Sequence, residues 1–426
     1  MSQSKKQRFH PYGLIVWTIA ILFYLYEFFL RVLPASISAD ILHDLGITLV
    51  QFSMIASAYY ITYAAMQLPV GILLDRYGVR ILASFACLAC ALGMFGFAIS
   101  DSFYTIISSR LLTGLGSSFG FISLLIIAFN WFPHRHFGFL SGLGQALGTA
   151  GPLLAGGPVV LIMNATHNDW KELFFWIAVW GCFLAVCMII FIRNKPSDLK
   201  EGLRTEPPNR SILKDVKLLM HNPQIWITML YTGSIYVTLP LLGAYWGTIY
   251  LQTRGFDKEV ASFLTSLIWV GLAIGSPLFG FISDLCKRRK PVLIFLGILG
   301  IASSYAFLFF PTQSEWMLAA LLLLIGISAG GQSLSFALII EYVPYELRAA
   351  AIGANNTAVM SFAALLPPLV TFIIQSHVGT KHFLLPADFT QGLLLMPIAF
   401  AVATLISIVG IRETFCRPTY PLSKKE

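Results

Sequence analysis

Gly71-Ile-Leu-Leu-Asp75-Arg76-Tyr-Gly78-Val-Arg80 is written twice in this chain, because Gly280-Phe-Ile-Ser-Asp284-Leu-Cys-Lys287-Arg288-Arg289 follows 209 residues later. In both copies a glycine closes an apolar run, an aspartate stands four residues on and an arginine nine residues on. A second echo agrees: Trp131-Phe132-Pro133-His-Arg135 ends one hydrophobic segment and Tyr342-Val343-Pro344-Tyr-Glu346 ends another, 211 residues later. Two unrelated landmarks at nearly one offset make the halves copies of each other. Tandem halves in a very apolar chain are a signature of transporters.

Composition agrees with a chain that lives in a bilayer. Hydrophobic residues make up 57% and charged residues 11%, with a mean hydropathy of +0.76, whereas soluble proteins carry roughly 25% charged residues. Windows of about 20 apolar residues fall six times between 13 and 193 and six times between 224 and 412. This predicts an all-α membrane protein of twelve helices in two six-helix halves. Its expected divisions are residues 1–193, a polar linker 194–223, residues 224–412 and a tail 413–426. The first apolar run contains Glu27 and Arg31 and has no small-residue cleavage site, so it reads as a retained helix rather than a signal peptide.

Lysine and arginine are distributed unevenly about these windows. Of 28 such residues, only Lys171, Arg254, Lys258 and Lys381 fall in loops of one side, and Arg31 and Arg110 fall inside windows. The remainder flank the other side, which predicts that both tails and the linker are cytoplasmic. The same distribution accounts for the net charge of +8 without nucleic acid as a partner. Six cysteines are scattered; Cys87-Leu-Ala-Cys90 has metal-pair spacing but lies in an apolar helix with no second pair. No metal site, cofactor or catalytic constellation is expected, and the chain is not read as an enzyme. A Gly-x-x-x-x-Gly-Lys phosphate loop is also missing, which points to an ion gradient rather than ATP as the driving force.

At the two repeated loops, and at Ser109-Arg110-Leu-Leu-Thr-Gly114-Leu-Gly116, the chain resembles the major facilitator superfamily over essentially its whole length. Tyr26-Glu27-Phe-Phe-Leu-Arg31-Val-Leu-Pro34 and Tyr59-Tyr60-Ile-Thr-Tyr63-Ala-Ala-Met-Gln67-Leu-Pro69 look like bacterial nutrient importers, including phagosomal amino-acid transporters. Gly151-Pro152 is followed by three residues before Gly156-Gly157, one more than the pattern associated with antiporters. The resemblance implies a multi-pass protein of the bacterial inner membrane, acting as a monomer by alternating access, with helices one, four, seven and ten lining a central cavity.

Asp75 and Asp284 end helices where an acid can face the positive end of a neighbouring helix and a nearby Arg80 or Arg289. Gly71, Asp75, Arg76, Gly78 and Arg80, with Asp284, Arg289 and Glu341, are therefore expected to form a latch between the halves, or simply to orient loops. Gly114 and Gly116, then Gly142, Gly144, Gly148, Gly151, Gly156 and Gly157, offer small-residue faces for close helix packing.

Charges inside a bilayer need a partner or a cavity. Tyr24, Glu27 and Arg31 share one face of the first helix, at i, i+3 and i+7. Glu27 and Arg31 either neutralise each other or form a site with Arg110 in which an arginine holds a carboxylate. Glu27 then takes an ammonium group or the coupling proton. Tyr236, Trp246 and Gln332 are expected to line the opposite wall. The expectation is proton-coupled import of a small carboxylate-bearing nutrient, an amino acid or organic acid. A proton-driven exporter of apolar compounds or a siderophore is the alternative.

Overall fold

A computed structural model of the chain describes residues 11–132, 137–166, 169–194, 219, 221–310, 313–344, 347–378 and 385–417. The first half contains α1 (Pro11–Ser36), α2 (Leu49–Tyr77), α3 (Val79–Ala98), α4 in two pieces (Phe103–Ser117 and Gly120–Trp131), α5 in three (Phe137–Gly148, Ala150–Ala155 and Gly157–Thr166) and α6 (Trp170–Phe191). The second contains α7 (Pro223–Thr253), α8 (Lys258–Cys286), α9 (Lys290–Phe309), α10 in two pieces (Glu315–Ala329 and Gly331–Glu341), α11 (Arg348–Val378) and α12 (Pro386–Gly410). Among the described residues no strand occurs. Among the same residues eleven helices are long and apolar enough to cross a membrane. The twelfth, α2, has 29 residues but is diluted by Gln51, Gln67 and four tyrosines.

The helices start where local chemistry supplies donors and acceptors. Thr48 and Gln51 form a capping box at α2, Ser102 accepts from Thr105 N–H at α4, and Asn222 accepts from Gln224 N–H at α7 with Pro223 in the first turn. Each satisfies backbone groups that a helix end leaves open. Large apolar side chains such as Trp176, Phe183, Leu285 and Phe372 are more than half exposed, which is unfavourable in water and ordinary against lipid. The chain is a multi-pass membrane protein. Most of the predicted linker lies outside the described residues, as do Pro133–Arg135 and Tyr345–Glu346 of the second echo.

The duplication is visible in the packing. A Cβ on Gly114 of α4 would collide with the carbonyl oxygen of Tyr59 in α2, and a Cβ on Gly326 of α10 would collide with that of Ile268 in α8. These crossings are 212 and 209 residues apart, the offset of the sequence echoes. Both α4 and α10 are interrupted just beyond, at Ser118–Phe119 and at Gly330. Close backbone approach at small residues replaces hydrophobic drive between helices in lipid. α5 follows the same rule: Gly148 admits the ring of Tyr24, Gly151 abuts the α1 backbone, and Gly156 abuts Ser262 and Ser266 of α8.

An even number of spans returns the chain to the face on which it starts, here called the terminal face. On the opposite, distal face the halves are fastened together. Asp40 pairs with Lys258, Ser57 and Tyr245 hydroxyls are 3.1 Å apart, and the Phe28 and Trp269 rings meet edge to face at 5.4 Å. α2 and α11 stay in contact as far as Asn356, which donates to Gln67 at 2.6 Å. Beyond that level Gly71 and Gly280 face open space, with no described atom within 4 Å of a Cβ built on either. Among the described residues the halves are thus joined distally, and nothing packs on the two repeated-loop glycines.

Candidate functional site

Glu27 and Arg31 lie one turn apart on α1, so their side chains necessarily share a face. Both are buried, at 0% and 3% exposure. Arg31 Nη2 donates to Glu27 Oε2 at 3.1 Å, and Tyr59 of α2 donates to the same oxygen at 2.9 Å. Arg31 Nε in turn donates to the Tyr59 hydroxyl at 3.2 Å, which closes a three-membered polar ring. Aromatic faces complete the enclosure: the guanidinium lies 4.2 Å from the Phe28 centroid and 4.9 Å from that of Tyr63, contacts that favour a desolvated cation. Tyr236 of α7 reaches this group from the other half. Gly120, just past the break in α4, is where Glu27 passes: a Cβ there would stand 2.9 Å from Glu27 Cγ.

The remaining candidates are placed differently from one another. Tyr24 is turned to α5, donating to Gln145 Oε1 at 3.0 Å and stacking on Phe28 and Phe121. Arg110 shares the Tyr59 ring, 4.8 Å from its centroid, but its donors go to backbone: Nη1 to Leu30 O at 2.9 Å and Nη2 to Arg31 O at 3.3 Å. Trp246 lies distal to the cluster, between Phe52 of α2 and Phe389 of α12. Gln332 is half-buried at the break in α10, where its carbonyl accepts from Ser335. Sequence reasoning did not assign Tyr59, Tyr63, Phe28 or Gly120 to the site. The Tyr59-Tyr60-x-x-Tyr63 spacing was their signal, but their partners sit on another helix.

The repeated loops form two unequal clusters. In the second half Arg289 bridges Asp284 Oδ1 at 2.6 Å and Glu341 Oε1 at 3.0 Å. Thr414 donates to the other Glu341 oxygen at 2.5 Å, and Glu413 accepts from the Arg289 and Lys290 amides. Burial opposes charge on Arg289, but the bonds to Glu341 and Asp284 outweigh it and hold its pKa above the ordinary arginine value. In the first half Arg80 donates through Nε to Ile189 O and through its amide to Asn194 Oδ1, both at 2.9 Å. Gly78 turns at φ +81° against the Asn194 side chain. The side chains of Asp75 and Arg76 lie outside the described residues. Among the described residues no group of His, Cys, Asp or Glu is arranged to hold a metal ion.

The family profile described as Major Facilitator Superfamily matches residues 16–367 and again 241–424. The hexuronate transporter of Bacillus subtilis (strain 168) is 27% identical over 61% of this chain and 62% of its own length. That alignment therefore leaves more than a third of the relative unmatched. The sialic acid transporter NanX of Escherichia coli (strain K12) is 24% identical over 83% of this chain and 85% of its own. Among solved structures, a bacterial homolog of the human lysosomal transporter Spinster, crystallised inward-facing and unoccupied, superposes with a TM-score of 0.75 at 15% identity, covering 96% of this chain and 99% of that one.

Proposed function

We propose that this chain, which belongs to the Major Facilitator Superfamily, imports a small organic acid together with protons. The observation that carries the reading is the ring of Glu27, Arg31 and Tyr59. Arg31 is a buried cation whose described carboxylate partner is Glu27. When Glu27 takes a proton that pairing is lost, and a buried guanidinium left without an anion is costly. A substrate carboxylate gives Arg31 an anion again, so proton and acid bind together and leave together. Arg31 matches a carboxylate in geometry as well as charge, since the planar fork offers parallel donors. The named substrates of the two relatives, hexuronate and sialic acid, are acids of this kind. Besides Tyr59, the hydroxyls of Tyr63 and Tyr236 bond to the guanidinium and would contact the rest of a small polar solute.

In this reading the terminal face is cytoplasmic, the chain acts as a monomer in the bacterial inner membrane, and the Asp284–Arg289–Glu341 cluster and its first-half counterpart stiffen the cytoplasmic ends that part in the open state. The test is uptake into proteoliposomes under an imposed inward proton gradient, with glucuronate, lactate and glutamate supplied separately. Accumulation of an acid that collapses with the gradient and with Arg31→Gln supports the reading. Extrusion of an apolar dye that ignores Arg31→Gln would favour the exporter instead.

A further inference from the structure

α1 carries Pro34 near its distal end. Proline has no N–H, so the carbonyl four residues earlier, that of Leu30, lacks the donor that continues an α-helix. No water is available in the hydrocarbon to replace it, and such a group must find a partner within the protein. Its partner is Arg110: Nη1 donates to Leu30 O at 2.9 Å while Nη2 reaches the next carbonyl, Arg31 O, at 3.3 Å. Arg110 is 1% exposed and lies over the Tyr59 ring. The second half is built differently at the matching place. α7 carries Pro240, and directly after it the helix widens into a π turn, Leu241–Trp246; Leu322 stands in α10 where the 212-residue offset places the counterpart of Arg110.

We propose that Arg110 supplies the hydrogen bond that Pro34 removes from α1, and that by fixing this turn it acts as a positioning residue for Arg31 and Glu27. The turn it holds is the one from which the Arg31 side chain departs, and Glu27 lies one turn back. A swing of that backbone would carry the guanidinium away from Tyr59. The inference rests on the role proposed for Glu27 and Arg31 only in naming what is positioned; the link between Arg110 and Pro34 stands by itself.

The experiment pairs the two residues in purified, substrate-free protein. Arg110→Met keeps length and apolar bulk but has no donors, and should lower the melting temperature by roughly 3–10 °C. Pro34→Ala restores an amide at the right place and should change little alone. Together, Pro34→Ala should recover most of the loss. If Arg110→Met does not yield folded protein, recovery of folded protein in the double variant is the same positive result. A second readout follows the geometry: the pH-dependent carboxyl infrared band that disappears in Glu27→Gln. Glu27 is faced by Arg31 and Tyr24 of its own helix, Tyr59 and Tyr63 of α2, Cys90 of α3 and Tyr236 of α7. Arg110 is also a cation over the Tyr59 ring, and its charge is missing from both variants, so the midpoint should move in Arg110→Met and return part of the way in the double variant. Additive losses in the double variant, or a midpoint that does not move back, would overturn the proposal. Neither measurement needs a substrate, so a failure of the transport reading remains distinguishable.

Discussion

Replacing Glu27 by Gln tests the proposed coupling most directly, because it removes the titrating group and leaves a side chain of the same size. In the structure the opposite charges meet at 3.1 Å between Nη2 and Oε2, with charge centres about 4 Å apart. At an effective dielectric constant of about 20 this pairing is worth on the order of 4 kcal/mol, in line with the roughly 3–5 kcal/mol lost when one partner of a buried pair is removed. The variant therefore holds an uncompensated cation, and a substrate carboxylate recovers part of that energy on binding. At about 1.4 kcal/mol per decade, recovering a third to two thirds of it makes the acid bind roughly ten- to a hundredfold tighter at pH 8. Wild-type affinity should fall as pH rises, because binding then has to displace an ionised Glu27; variant affinity should be flat. Calorimetry at pH 6 and pH 8 measures both, and proteoliposome assays on the same preparation should show exchange preserved and gradient-driven accumulation abolished. Normal accumulation with unchanged pH dependence would refute the reasoning and reduce Glu27 to a counter-ion. Collapse of binding at every pH would instead assign Glu27 to a substrate ammonium group.

Four further outcomes are expected. Arg289→Gln severs the bridge to Asp284 and Glu341 and leaves two acids facing each other, so thermal melting should show a loss of about 2–4 kcal/mol; an unchanged melting temperature would make the cluster incidental. Asp75→Asn tests the latch expected at the repeated loop: loss of a contact made in one state only would leave substrate affinity near normal and slow net uptake several-fold, and uptake at the normal rate would reduce the loop to scaffold. Gly114→Val should prevent assembly of the first half, because its side chain has no room against Tyr59 O, and monodisperse folded protein on size exclusion would contradict this. Reporter fusions at Gln3 and Lys424 should both score cytoplasmic, and a signal from the other side for either would overturn the assigned orientation.

Much of this architecture is legible in the chain because bilayers demand it. Twenty-residue apolar windows and a duplicated loop predict the helices and their pairing, and i, i+4 spacing alone brings Glu27 to Arg31. Spacing does not extend across helices. Tyr59 belongs to the ring because the fold brings α2 to that height of α1, and Gly114 lets α4 close on α2 at the same residue. Arg110 illustrates the same limit: its charge invites a carboxylate, and the unpaired Leu30 carbonyl can be inferred from Pro34, yet only the fold brings the two together. The Arg289 cluster draws on Thr414 and Glu413 from beyond α12, which no loop motif anticipates.

Glu27, Arg31 and Arg110 all belong to the first half, whereas the described charged residues of the second stand at helix ends. In the function proposed above the two copies divide their labour: one carries the charged groups that take proton and carboxylate, and the other supplies a neutral wall of Tyr236, Trp269 and small polar groups. A chimera that keeps residues 1–193 and takes its second half from a relative should then inherit a new appetite for solutes while retaining its own dependence on protons.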